Sequence, residues 1–189
     1  MKTKKKIIVF ALLTICLTTL PISFALITKE IEVGNIITFG NIKMKVIQTT
    51  YEDNQEKEIK DQETFNITTN NNFNRNIKIE NIGKNPMFVR VKINVSSKDK
   101  ENNNINIDEY MIINQKDNNW IKKDNWYYYK KEIKPKETSK NLELDILFDI
   151  NNITKNYKDI KIDYEVITEA LQSENNSENV LEAVGWPSK

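Results

Sequence analysis

The sequence predicts an all-β protein, a jelly-roll-like antiparallel β-sandwich with one or two short helices. Three observations carry that expectation. Apolar residues recur at every second position in several segments, those segments are short, and polar spacers rich in Asn, Gly and Pro separate them. Such a pattern suits strands with one buried and one solvated face.

The first element is a leader over residues 1–25. Lys2, Lys4, Lys5 and Lys6 make a positive start, an apolar run follows from Ile7 to Leu20, and Pro21 breaks it. Ser23-Phe24-Ala25 supplies small residues for a signal peptidase, so cleavage is expected between Ala25 and Leu26. The run is about 14 residues, short of the roughly 20 of a spanning helix; an uncleaved anchor is the minority reading. Ile15 precedes Cys16 and the apolar run continues beyond it, which argues against lipid attachment at that cysteine.

Residues 26–35 form a second unit, and residues 36–189 a single sandwich domain. Ile27, Ile31 and Val33 share one parity, interrupted by Lys29, with Glu30 and Glu32 facing away. Ile42, Met44 and Val46 alternate with lysines in the next strand, and Ile77 and Ile79 mark another. The clearest alternation is Met87, Val89, Val91, Ile93 and Val95, with Phe88, Arg90, Lys92 and Asn94 on the opposite face. Leu142, Leu144, Ile146 and Phe148 make a further strand, and Ile160, Ile162, Tyr164 and Val166 the last. Weaker strand signals lie at 65–69, 111–113 and 126–133. Residues 70–76 and 98–106 read as Asn-rich loops, and Gly83-Lys84-Asn85-Pro86 and Lys134-Pro135-Lys136-Glu137 as turns. Near the end, Ser177 is placed to cap a helix carrying Val180, Leu181 and Val184, with Gly185 stopping it.

Composition limits the chemistry. The chain has no histidine, and its one cysteine, Cys16, lies in the leader. A Ser-His-Asp triad, a Cys-His dyad and an H-E-x-x-H zinc site are therefore excluded. Removing the leader takes four lysines and no acids, so basic residues fall from 28 to 24 against 27 acidic ones, a net charge of −3. That balance gives little drive toward nucleic acid or anionic lipid. Acid–base pairs such as Asp145 with Asp149, or Asp108 with Glu109, read as solvated faces, and a calcium cluster of Asp99, Glu101, Asn103 and Asp108 lacks a loop pattern. The Asn-x-Ser/Thr triplets at Asn66, Asn94 and Asn152 read as products of an Asn-rich composition. No cofactor and no metal is expected.

Trp120 and the run Trp126-Tyr127-Tyr128-Tyr129 are candidate interaction aromatics. On a strand, Trp126 and Tyr128 share one face, and Tyr127 and Tyr129 the other. One pair is expected in the core. The other either stacks on a sugar or a neighbouring subunit, or packs within the domain as well.

Several patterns, in order from about residue 30 to residue 186, resemble one family. Asn81-Ile82-Gly83-Lys84-Asn85-Pro86-Met87-Phe88-Val89-Arg90-Val91 is similar to its "N-x-G-x-x-P-x-aromatic-V-x-V" signature. Trp126-Tyr127-Tyr128-Tyr129, followed by Ile133-Lys134-Pro135-Lys136-Glu137-Thr138, resembles its "W-Y-Y … L-x-P-G-x-T" segment, with Lys136 where the family has Gly. Glu169-Ala170-Leu171-Gln172 with Ala183 and Trp186 resembles its closing stretch, and Ile37-Thr38-Phe39-Gly40-Asn41-Ile42 its first strand. This is the TasA/camelysin family, exported with a SipW-dependent type of signal peptide. The resemblance implies a secreted biofilm-matrix fibre subunit on the surface of a Gram-positive-type bacterium. It implies donation of residues 26–35, through Ile27, Ile31 and Val33, as a strand to a neighbouring subunit. An ordinary first strand within its own domain is the equal alternative.

The implied partners are further copies of the chain, an accessory matrix protein, and signal peptidase during export; no nucleic acid and no stable membrane insertion after cleavage are expected. A monomeric cell-surface adhesin binding glycan or protein through exposed aromatics is the alternative function. A camelysin-like metalloprotease is the weakest, since without histidine it would depend on carboxylate ligands alone.

Overall fold

A computed structural model describes residues 36–39, 41–52, 55–59, 62–66, 72–149, 151–153 and 160–187. The leader, the Ala25–Leu26 junction and the segment bearing Ile27, Ile31 and Val33 lie outside these residues.

The described chain is a two-sheet antiparallel β-sandwich. Its strands are β1 (Ile36–Phe39), β2 (Ile42–Glu52), β3 (Gln55–Glu58), β4 (Gln62–Asn66), β5 (Asn72–Asn81), β6 (Met87–Lys98), β7 (Asn104–Ile105), β8 (Met111–Gln115), β9 (Trp120–Lys123), β10 (Trp126–Tyr129), β11 (Leu142–Phe148) and β12 (Lys161–Gln172). One sheet has the order β1-β2-β5-β11-β8, with β3 also on β2. The other has β4-β12-β6-β10-β9, with β7 also on β6. From β3 onward the chain crosses from sheet to sheet at most connections, the alternation that makes the architecture jelly-roll-like.

Period-two patterning positions the core. Ile42, Met44 and Val46 of β2, Ile77 and Ile79 of β5, and Leu142 and Leu144 of β11 meet Met87, Val89 and Val91 of β6 and Ala170 of β12. Burying each large aliphatic side chain contributes roughly 1.5–3 kcal/mol. A second cluster toward the other end gathers Ile146, Phe148, Ile153, Ile160, Ile162 and Tyr164, with Phe73 packed between the Phe148 and Tyr164 rings. The longest ladder joins β6 to β12 in unbroken register from Met87↔Gln172 to Lys98↔Lys161.

Three local expectations are corrected, and one strand, β3, has no counterpart among the sequence expectations. Residues 72–76, read as loop, begin β5, because Phe73 and Arg75 turn inward there. β3, with every side chain exposed, has no apolar face and is held to β2 through the ladder from Thr49↔Glu58 to Glu52↔Gln55. β7 interrupts the loop expected over 98–106. No helix follows Ser177: the side chains of Asn176, Ser177 and Asn179 take backbone N–H groups of Ser177, Val184, Asn179 and Leu181, which turns the chain instead. The short helical pieces lie elsewhere, a 3₁₀ turn at Asp108–Tyr110 and one turn at 151–153.

Candidate functional site

The turn signature around Asn81 is a hydrogen-bonding hub. The Asn81 side chain is fully buried at the end of β5. Its Nδ2 donates to the carbonyls of Asn85 and Ile133, both at 2.8 Å, and its Oδ1 accepts the Gly83 N–H at 2.9 Å. Its backbone N–H and C=O bond Glu137 and Lys136. One amide thus ties the β5–β6 turn to the segment after β10, saturating a buried group that would be costly if unpaired. Gly83 is required by space: a Cβ there would lie 2.9 Å from the Lys43 nitrogen and 3.3 Å from its carbonyl oxygen. Gly83→Ala is expected to cost about 1–3 kcal/mol through this overpacking. The check is a lower urea midpoint at unchanged m value.

The Lys134-Pro135-Lys136-Glu137 turn keeps a glycine-like backbone without glycine. Glu137 N–H bonds the Lys134 carbonyl at 3.0 Å, and Lys136 has φ +69°. That is a type II turn with Pro at its second position and a left-handed third residue. Lys136→Gly is expected to stabilise by about 0.5–1 kcal/mol, relieved strain outweighing the entropy of glycine. A melting temperature raised by about 2 °C would confirm it.

The β6–β10–β12 register builds an aromatic cage on the outer face of the second sheet. Tyr128 stands directly across from Arg90 on one side, and Glu169 directly across on the other. Arg90 donates from Nε and Nη2 to one Glu169 oxygen at 2.8 and 2.6 Å, and from Nη1 to the Tyr128 hydroxyl at 3.0 Å. Its guanidinium lies 4.2 Å from the centre of a Trp126 ring and 4.5 Å from one of Trp186. Two indoles therefore pack against a buried, paired cation. The C-terminal segment closes over it: Val180, Ala183 and Trp186 pack on Phe88, Tyr128 and Leu171. Phe88 and Arg90, read from parity as a solvated face, are buried by that segment.

The run Trp126–Tyr129 is thereby placed. Tyr127 and Tyr129 point into the sandwich, where Tyr129 packs 5.1 Å from Trp120 and burial raises the pKa of the Tyr127 phenol. Tyr128 lies beneath Trp186 in edge-to-face contact at 5.6 Å. Trp126 is half-buried against Arg90. Of the two alternatives for the outer pair, the structure shows packing within the domain: both pairs pack there, and Trp126 alone keeps partial exposure. Parity identified the two faces but not the tail that covers the outer one.

Three of the candidate carboxylates, Asp99, Asp145 and Asp149, have structural partners. Asp99 accepts the backbone N–H groups of Glu101 and Asn103 and the Asn103 side-chain amide, which together hold its pKa below the usual carboxylate value. Because its folded pKa is depressed, this loop contact is complete above the unfolded pKa and lost as pH falls through the folded one. Asp145 pairs with Lys116 at 3.1 Å, and Asp149 caps the turn at 151–153 through Asn152. Among the described residues no three acidic, Cys or His side chains gather as a metal site.

Three sheet edges bear on assembly. β1 covers β2 from Ile42 to Lys45, and β3 covers the same side from Thr49 to Glu52. Ile59 N–H extends that cover by bonding the Gln48 carbonyl at 2.9 Å. On the opposite side of the molecule, β8 pairs with β11 alone among the described strands.

No family model and no curated protein matches the chain. Among solved structures it is similar to the CBM3a-L domain with flanking linkers from scaffoldin cipA of the Clostridium thermocellum cellulosome, at 10% identity over 76% of this chain and 79% of that one, with a TM-score of 0.17. A likeness that slight carries no conclusion about ligand or partner.

Proposed function

We propose that this chain is an exported structural protein, a subunit of an extracellular matrix fibre, and that residues 26–35 of one copy join the next as an added β-strand. One observation supports this reading more than any other. With β1 in register Ile36↔Lys45, the preceding residues would continue along β2 opposite Val46 and Ile47 and then meet Gln48, whose carbonyl is already taken by Ile59. Residues 26–33 therefore have no room to lengthen β1 on its own sheet edge. Yet they carry Ile27, Ile31 and Val33 on one parity, a pattern that needs a buried face. Strand addition to another copy supplies one, with affinity from main-chain hydrogen bonds and specificity from alternate side chains.

The leader with its Ala25–Leu26 junction, the lack of histidine, and the resemblance to the TasA/camelysin family support the same reading. Its test is the paired substitution Ile31→Lys with Val33→Lys in the chain starting at Leu26. Sedimentation should show polymer from the parent and monomer from the variant. Equal polymer from both would remove residues 26–35 from the assembly.

A further inference from the structure

One end of the sandwich gathers lysines. Residues 130–141 cross there from β10 to β11. They are fixed to the start of β6 by the two Met87–Ile133 bonds, at 3.1 and 2.8 Å. They are fixed to the end of β5 by Lys136 N–H on the Asn81 carbonyl and Ser139 N–H on the Ile79 carbonyl, both at 2.8 Å. The β5–β6 turn lies alongside, held through the Asn81 amide. Together residues 82–86 and 130–141 carry Lys84, Lys130, Lys131, Lys134, Lys136 and Lys140 against Glu132 and Glu137, a net charge of +4. All six lysines are exposed. Among the described residues, none of the six enters an ion pair. The two glutamates are engaged elsewhere: Glu132 accepts the Ser173 hydroxyl at 2.9 Å, and Glu137 the Lys134 N–H at 3.2 Å. Lys43 adjoins the turn through the Ile82 N–H bond to its carbonyl, while Glu80 and Glu174 flank the two segments. The net charge of −3 over residues 26–189 averages this concentration away.

Lys136 supplies a second observation. Its φ is +69°. The other described non-glycine residues at positive φ are Asn102, Asp124 and Asn175, of the two types that tolerate that region best. A lysine stands there at a conformational cost, and a strained residue that persists points to a use for its side chain.

We propose that this end of the sandwich, centred on Lys84, Lys134 and Lys136, binds a linear phosphate polymer through charge. The inference goes beyond strand donation and does not depend on it, since none of these lysines lies in residues 26–35. The residue types select the ligand. The chain's two arginines, Arg75 and Arg90, are buried, so this end offers no planar fork for bidentate carboxylate recognition. It offers ammonium groups, compact point charges that answer to charge density. The exposed large apolar side chains, Tyr51, Ile112 and Val184, lie outside both segments, so no ring stands ready to stack on a base. Closely spaced phosphates on a flexible chain, without bases, match that surface.

Titration calorimetry of inorganic polyphosphate into the chain from Leu26, counted per subunit and repeated across salt concentrations, tests the site. With four lysines engaged, log affinity should fall against log salt with a slope of about −3. The triple variant Lys84→Gln, Lys134→Gln, Lys136→Gln should bind about tenfold more weakly or worse, with a slope near about −1. Arginine at the same three positions should restore binding, and all variants share residues 26–35, so assembly is common to every arm. Lys136→Gly separates charge from fold: it should lower affinity while raising the melting temperature. Unchanged affinity and slope in the glutamine variant would overturn the site, as would the absence of saturable binding by the wild-type chain. Tighter binding of a single-stranded oligonucleotide or of polyglutamate of equal charge would overturn the assignment of the ligand.

Discussion

Glu169→Ala is expected to destabilise the domain by about 3–5 kcal/mol, the cost of leaving a buried charge without its partner. The carboxylate and the Arg90 guanidinium it serves are each less than one-tenth exposed, and two bonds of 2.8 Å or less join them. The other contacts of the guanidinium include the Tyr128 hydroxyl and two indole faces, which are neutral groups. The double substitution Arg90→Met with Glu169→Leu should recover most of the loss, because an apolar pair of similar volume has no desolvated charge to compensate. Urea unfolding of the two variants separates the ideas. A loss below about 1 kcal/mol for Glu169→Ala would place the pair in an exposed, screened setting instead.

Trp186→Ala is the second large effect, at about 3–5 kcal/mol. The indole is the last large side chain of the described chain, and it lies 6% exposed against Tyr128 and Arg90. Its removal opens the cavity that the C-terminal segment closes, wetting Phe88 and Leu171 as well. The segment around it is held by side chain–backbone bonds, not by a helix, so it depends on this anchor more than on local order. The change should appear as a lower unfolding midpoint, and should be less than additive with Glu169→Ala because both act on Arg90. Additive losses would show that the indole and the carboxylate act independently.

These two residues also show what the sequence makes legible. Alternation reveals the inner faces of β2, β6, β11 and β12, since a half-buried strand must display its core on every second residue. The same rule misreads the outer face of β6. Phe88 and Arg90 fall at positions a solvated strand would give to polar groups. The register sets Tyr128 and Glu169 opposite Arg90, and the C-terminal segment then covers that face through Val180, Ala183 and Trp186. The β3 strand Gln55–Glu58 carries no apolar residue, so its pairing with β2 leaves no periodic trace. The Ser177 region fails differently: its Ser, Asn and apolar spacing suits a helix start, but the asparagine side chains capture the backbone donors a helix would need. The Asn81 and Gly83 signature is legible as a turn, while its span to Ile133 and Glu137 requires the folded chain.

Residues 92–96 of β6 have the same character: among the described residues, neither β10 nor β7 pairs with them. Ile93 and Val95 continue the inward alternation of β6 without a change of residue type, so nothing in the sequence distinguishes them from Val89 and Val91. What differs is the neighbour: β10 ends and β7 has not begun. An open edge is a property of pairing, and exposed edges of this kind are liabilities unless covered or used.

The central claim is assembly through the N-terminal segment, and negative-stain electron microscopy of residues 26–189 beside residues 36–189 tests it most directly. Every described strand lies within the shorter chain. Filaments from the first and dispersed particles from the second are the predicted result. Filaments from both, or dispersed monomers from both, would contradict it.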